Sequence, residues 1–153
     1  PGRYLTAEAG ILVTEVRATK RQGSKKYLLV DAGFHTLARP VLYGSYHPMS
    51  LCPTSTTPPR ELESVAVGGP LCESGDIFTQ EEGGFVSTRD LPPARVGDFL
   101  IIEVAGAYGF VMASNYNSKP FPAEILIDSG SSQLVRARQT ADEIFSGEYI
   151  PTT

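Results

Sequence analysis

The sequence is short of nearly everything that would mark a nucleic-acid, membrane or disulfide-stapled protein. Cations are outnumbered: 13 Lys and Arg stand against 17 Asp and Glu, for a net charge of −4 and a pI near 5.2. A phosphate-binding face needs clustered Lys and Arg. The one basic cluster, KRQGSKK at residues 20–26, surrounds Gly23 between two apolar runs. It reads as a solvated hairpin tip rather than a binding patch. No apolar stretch approaches the ~20 residues of a membrane helix, and the start carries no signal-peptide pattern. Two cysteines, Cys52 and Cys72, make neither a disulfide framework nor a zinc site. The expectation is a reduced, cytoplasmic protein with no nucleic-acid partner, no membrane and no metal.

Internal repeats are also missing, and 153 residues suit one domain with a real hydrophobic core. There is no initiator methionine. The chain opens on PGRYLTAEAG without a lead-in, and we expect it to continue a longer polypeptide.

Long helices are disfavoured by 15 Gly and 12 Pro. Strand signals take their place. YLTAEAGILVTEVRATK alternates, with Ile11, Val13 and Glu15 on one face and Leu12, Thr14 and Val16 on the other. KYLLVDAG, residues 26–33, is a short apolar run stopped by Asp and Gly, as a buried strand would be. SVAVGGP, GGFVSTRDL, GDFLIIEVAGAYG, AEILIDSG and SQLVRAR repeat the pattern between Gly, Pro, Asp and Ser. ARPVLYGSY predicts one helical turn limited by Pro40, and TADEIF a short helix with Thr140 as N-cap and Glu143 completing a capping box. PMSLCPTSTTPPRE, residues 48–61, reads as an exposed loop. The expected fold is all-β: a single antiparallel β-barrel or sandwich with a short C-terminal helix.

Four local groupings can carry chemistry. Arg3, after Pro-Gly, offers a planar fork for a carboxylate or phosphate, or is a surface residue. Arg39 and Tyr43 lie one helical turn apart in HTLARPVLYGSYHP, so guanidinium and phenol share a face. They would grip an anion together or make an ordinary cation–aromatic contact. Cys72 and Glu73 sit in VGGPLCESGD among turn-formers, where a thiol is either structural or chemical. As a hydrolase nucleophile it would need a histidine base, and neither His35 nor His47 lies in a recognisable protease setting. Tyr108 stands between Gly106 and Gly109 in GAYGFVMASNYNSKP, as a packing plug or a ligand contact.

Taken in order, PGRYLTAEAG, RPVLYGSYH, GPLCESGD and GDFLIIEVAGAYGFVMASNYNSKPFPAEILID resemble the C-terminal β-domain of the diaminopimelate decarboxylase family. These are pyridoxal-phosphate decarboxylases with an alanine-racemase-like barrel, and the resemblance covers residues 1–145. It implies that residues 1–153 are the C-terminal domain of a two-domain enzyme whose N-terminal α/β barrel is absent from this chain. That barrel would supply most contacts to pyridoxal 5'-phosphate, including the Schiff-base lysine. Lys20, Lys25, Lys26 and Lys119 match no such motif, so this chain alone is expected to be inactive.

The implied reaction of the full-length protein is meso-diaminopimelate to L-lysine and CO2, in lysine biosynthesis. Cys72 would be the catalytic proton donor. Gly2, Arg3 and Tyr108 would contact cofactor, while Arg3, Arg39, Tyr43, Glu73 and Tyr108 would bind substrate. A homodimer is implied, with Cys72 and Glu73 acting in the neighbouring subunit's site. Phe34 and His35 stand where the family commonly has Met-Asn, so a relative acting on a D-amino acid or a specialised-metabolite precursor is the nearest alternative. A non-catalytic β-barrel interaction module is the alternative from another class.

Overall fold

Side-chain alternation decides the first strand, β1 (Leu12–Gln22). Thr14 and Val16 are buried from it, whereas Ile11 and Val13 face outward and are about half exposed. Thr14 tolerates burial because its hydroxyl donates to Asp31 Oδ1 and accepts from Ala32 N at 2.9 Å. The computed structural model describes residues 1–54 and 61–151. They fall into two compact units, Pro1–Ala113 and Ser114–Thr153.

In the first unit β1 turns at Gly23 (φ 58°) into β2 (Lys25–Val30), with Gln22 opposite Lys25. Glycine suits this left-handed hairpin position. The tip is solvated as expected, but Lys25 Nζ donates to Val86 O at 2.8 Å and Lys26 pairs with Glu63. Those two cations serve the fold. The remaining strands are β3 (Met49–Cys52), β4 (Glu63–Gly68), β5 (Arg89–Leu91) and β6 (Phe99–Ile102). Their order across the sheet is β3-β6-β1-β2-β4-β5, and the two edge strands approach one another, so the barrel-like sheet nearly closes. Val16, Leu28, Val30, Val65, Val67, Phe78, Leu100 and Ile102 fill its interior as one cluster.

Four expectations need correction. The sheet is mixed, because β4 runs parallel to β2. The chain between them is a long crossover, which returns β4 in the same direction as a hairpin cannot. The segment read as the start of the first strand is instead helix α1 (Gly2–Thr6) and a 3-10 turn, Ala7–Ala9. Its backbone is engaged by distant groups: Gly106 N donates to Ala7 O at 3.0 Å and Ala105 N to Gly10 O at 2.8 Å. Residues 49–52, assigned to an exposed loop, form β3 against β6, with Met49 opposite Ile102. An edge strand of four residues tolerates flanking prolines and is too short to show a period. The rest of that predicted loop, residues 55–60, lies outside the described residues.

The fourth correction concerns the second unit. Strands β7 (Glu124–Asp128) and β8 (Ser131–Arg136) pair only with each other, instead of joining the barrel. After α2 (Arg39–Tyr43), the predicted terminal helix is present as α3 (Ala141–Ile144). Thr140 Oγ1 accepts from Glu143 N at 3.3 Å and Glu143 Oε2 accepts from Thr140 N at 2.6 Å, which completes the expected capping box. Among the described residues, no helix is long and apolar enough to cross a membrane.

One buried carboxylate pins the first unit's edge. Asp98, 2% exposed, accepts at Oδ1 from Thr54 N (2.9 Å) and Thr54 Oγ1 (3.0 Å), and at Oδ2 from Arg95 N (2.8 Å). Burial works against its charge, but these bonds and the Arg95 cation outweigh it and hold the carboxyl below its usual range. Asp98→Ala leaves two amides without their acceptor and should lower the unfolding free energy by about 2–4 kcal/mol in urea titrations. A folded-state pKa held low stabilises above the ordinary carboxylate value, and the benefit disappears as pH falls through the lowered value. An alanine variant as stable as the parent at neutral pH would contradict this.

Candidate active site

Helix α2 (Arg39–Tyr43) carries Pro40 as its second residue, whose missing N–H costs nothing in the first turn, and ends at Gly44 (φ 60°). A Cβ on Gly44 would lie 2.1 Å from Glu82 N, so both conformation and space demand glycine. The single turn does what the spacing predicts. The Arg39 guanidinium lies 5.3 Å from the Tyr43 ring centroid and 5.5 Å from that of Tyr108. With Met112 these three line a cavity of about 280 Å³. In both contacts the guanidinium carbon lies over the face of the phenol ring. The guanidinium N–H edge donates to Ser45 Oγ at 3.2 Å and is the part suited to a planar anion.

Tyr108 reaches the cavity from a loop with little freedom. A Cβ on Gly106 would sit 2.1 Å from Thr6 O, and one on Gly109 2.2 Å from Ala105 O. Tyr108 itself is left-handed at φ 60°, as is Val104 at 59°. Such backbone is costly for residues with side chains and persists where the surroundings dictate it. The same packing brings α1 close: a Cβ on Gly2 would be 3.6 Å from the Tyr108 hydroxyl. Tyr108 is thus held in place by its backbone while its side chain lines the cavity and stays 43% exposed.

His47 had no role in the sequence reading. It is buried, its Nδ1 lies 2.9 Å from Glu103 O, and its buried Nε2 has no hydrogen-bond partner among the described residues. Burial lowers its pKa, the bond to Glu103 opposes this, and the charges of Arg39, Arg3 and Arg89 lower it further. Arg3 and Arg39, distant in sequence, thus act on one imidazole. Arg89, also unflagged by the sequence, stacks on Tyr46 at 4.2 Å. Met112 lay inside a quoted motif but carried no signal that set it apart.

Cys72 and Glu73 are exposed on the loop after β4 and do not line the cavity. Glu73 Oε1 accepts from Ser74 N at 3.0 Å. Gly75 backs this loop onto α2: a Cβ there would be 3.1 Å from Val41 Cγ2. Asp76 anchors its far end with a carboxylate that accepts from Leu71 N and Phe34 N, each at 2.8 Å. Burial pushes its carboxyl up, and the two N–H bonds pull it partly back. The described residues therefore hold one cluster of Arg39, Tyr43 and Tyr108, with Gly2 beside it, and a separate exposed thiol–carboxylate loop.

Comparison with known proteins gives this arrangement a context. Residues 3–106 match the family model of the pyridoxal-dependent decarboxylase C-terminal sheet domain. Diaminopimelate decarboxylase of Escherichia coli (strain K12) is 49% identical over 155 residues, which cover 98% of this chain and 36% of that protein. That of Streptomyces coelicolor (strain ATCC BAA-471 / A3(2) / M145) is 46% identical over 152 residues, covering 99% and 34%. A crystal structure of diaminopimelate decarboxylase superposes with a TM-score of 0.91 at 49% identity, over 95% of this chain and 35% of that one. The Helicobacter pylori diaminopimelate decarboxylase complexed with L-lysine gives 0.80 at 34% identity, over 94% and 33%. The chain spans about a third of the length of the curated relatives it matches.

The imidazole supplies a direct check on this geometry. His47 should titrate by NMR with a midpoint below the ordinary ~6.5. Because its folded-state pKa is lowered, any stability it lends is complete above the ordinary ~6.5 and is lost as pH falls from there through the lowered value. A midpoint above the ordinary value would mean that the imidazole is neither buried nor close to the three arginines.

Proposed function

Because the chain belongs to the pyridoxal-dependent decarboxylase family, as its C-terminal sheet domain, we propose that the full-length protein converts meso-diaminopimelate to L-lysine and CO2. The observation that carries this reading is the Arg39 guanidinium set between Tyr43 and Tyr108 on the wall of one cavity. A guanidinium at this wall would offer N–H donors to a carboxylate, and Arg3 adds a second positive charge near His47. Diaminopimelate carries a second amino-acid head far from the reacting carbon. Its carboxylate would take Arg39, Arg3 and Tyr43, and its ammonium would take Glu73. A diamine precursor such as ornithine brings only an ammonium, which would face guanidinium groups without an anion between them.

The residues present also suit pyridoxal phosphate. Gly2 keeps the backbone bare beside the Tyr108 hydroxyl, so Gly2, Arg3 and Tyr108 would meet the cofactor, and the remaining contacts would come from an N-terminal α/β barrel. When bound, the cofactor supplies the electron sink that permits loss of CO2. Cys72 Sγ would then hold the proton delivered to the α-carbon, as a positioned general acid. Cys72 is exposed and is not among the residues that line the Arg39 cavity, so it would be available to the site of a second subunit in a homodimer. Residues 1–153 would act together as the C-terminal domain of this enzyme, in the cytoplasm.

The test is Cys72→Ala in the full-length protein. Turnover of meso-diaminopimelate should fall by about 100-fold or more while the cofactor's absorbance and the KM persist. Wild-type turnover would remove Cys72 from the proton-transfer step.

A further inference from the structure

Asp76 closes the CESGD stretch and is only 3% exposed. A carboxylate so buried is costly unless its oxygens are satisfied. Among the described residues no lysine or arginine pairs with it. Its partners are two backbone amides from different parts of the chain. Oδ2 accepts from Leu71 N, immediately before Cys72, and Oδ1 accepts from Phe34 N, 42 residues away, each at 2.8 Å. Its own backbone closes the loop further, with Asp76 N donating to Glu73 O at 3.1 Å and Gly69 N donating to Asp76 O at 2.9 Å. Cys72 and Glu73 therefore project from a segment fastened on both sides.

Two glycines are cut to fit this carboxylate. A Cβ on Gly33 would lie 2.8 Å from Oδ2 and one on Gly69 2.2 Å from it. Phe34 opens the turn in which Gly33 O accepts from Thr36 N, Thr36 Oγ1 and Leu37 N, and that turn runs directly into α2. One side chain thus joins the thiol loop to the segment that presents Arg39 and Tyr43.

We infer that Asp76 is a positioning residue, whose carboxylate sets the Cys72–Glu73 loop against the turn leading into the Arg39–Tyr43 helix. The inference rests on the proposed role of Cys72 as proton donor. Asparagine is the informative replacement. It keeps the shape but offers one acceptor and one NH2, so one of the two amides meets a donor instead of an acceptor.

In the full-length holoenzyme, Asp76→Asn should lower kcat on meso-diaminopimelate by about 100-fold, as a small displacement of a reacting group does, with KM little changed. Amide exchange at Leu71 and Phe34 should be slow in the parent and faster at one or both in the variant. Asp98→Asn, which loosens a different buried carboxylate, should lose stability yet keep the parent's kcat. Parent-level kcat in Asp76→Asn, or unchanged exchange at both amides, overturns the inference. If the parent fails to decarboxylate meso-diaminopimelate, the proposed function is what has failed, and the exchange data alone decide whether Asp76 holds the loop. If Asp76→Asn does not fold, parent exchange decides: slow exchange at both amides supports the inference, and fast exchange at either one overturns it.

Discussion

The contact on which the site depends is a guanidinium held between two phenol rings. Arg39 would otherwise be a long, mobile side chain at the protein surface, with about 2 kcal/mol of rotamer entropy to lose on binding. Tyr43 fixes it from one helical turn away, and Tyr108 fixes it from a loop 69 residues on. Each phenol is itself dictated. Gly44 stops α2 where Glu82 leaves no room for a side chain, and Gly106 lets the Tyr108 loop press against Thr6 and Ala7. The arginine is thus restrained at the cavity wall before any ligand arrives, which would lower the entropy cost of the anion binding proposed for it.

Charge around the site follows the same logic. Burial lowers the pKa of His47, and Arg39, Arg3 and Arg89 all act on it in the same direction. Arg39 brings positive charge to the cavity wall, whereas the exposed loop after β4 offers a thiol and a carboxylate, Cys72 and Glu73. For the proposed substrate, a distal carboxylate would meet the first surface and a distal ammonium the second. Neither surface alone would specify it.

Much of the local structure was legible in the residues. Alternation from Leu12 to Val16 placed the buried face of β1, Gly23 marked the hairpin, and Thr140 with Glu143 marked the capped helix, because each signal is complete within a few residues. The turn at Arg39–Tyr43 was legible for the same reason. What escaped depends on remote partners. Gly2–Thr6 is helical, and the turn after it is tied to the loop at Ala105–Gly106, nearly a hundred residues later. The parallel pairing of β2 with β4 arises from a crossover, and β3 is too short to announce itself. His47 and Asp76 looked like ordinary polar residues, since only folding buries them. The placement of Arg39, Tyr43 and Tyr108 around one cavity joins motifs that the sequence could only set in order.

The most direct measurement is CO2 release by the full-length protein, supplied with pyridoxal phosphate, from meso-diaminopimelate, L-lysine and L-ornithine. A site built around a guanidinium fork should reject substrates that lack the distal carboxylate by about 10⁴-fold in kcat/KM. Release from meso-diaminopimelate with little from the other two is the result this account predicts. Comparable or faster release from ornithine or lysine would contradict it.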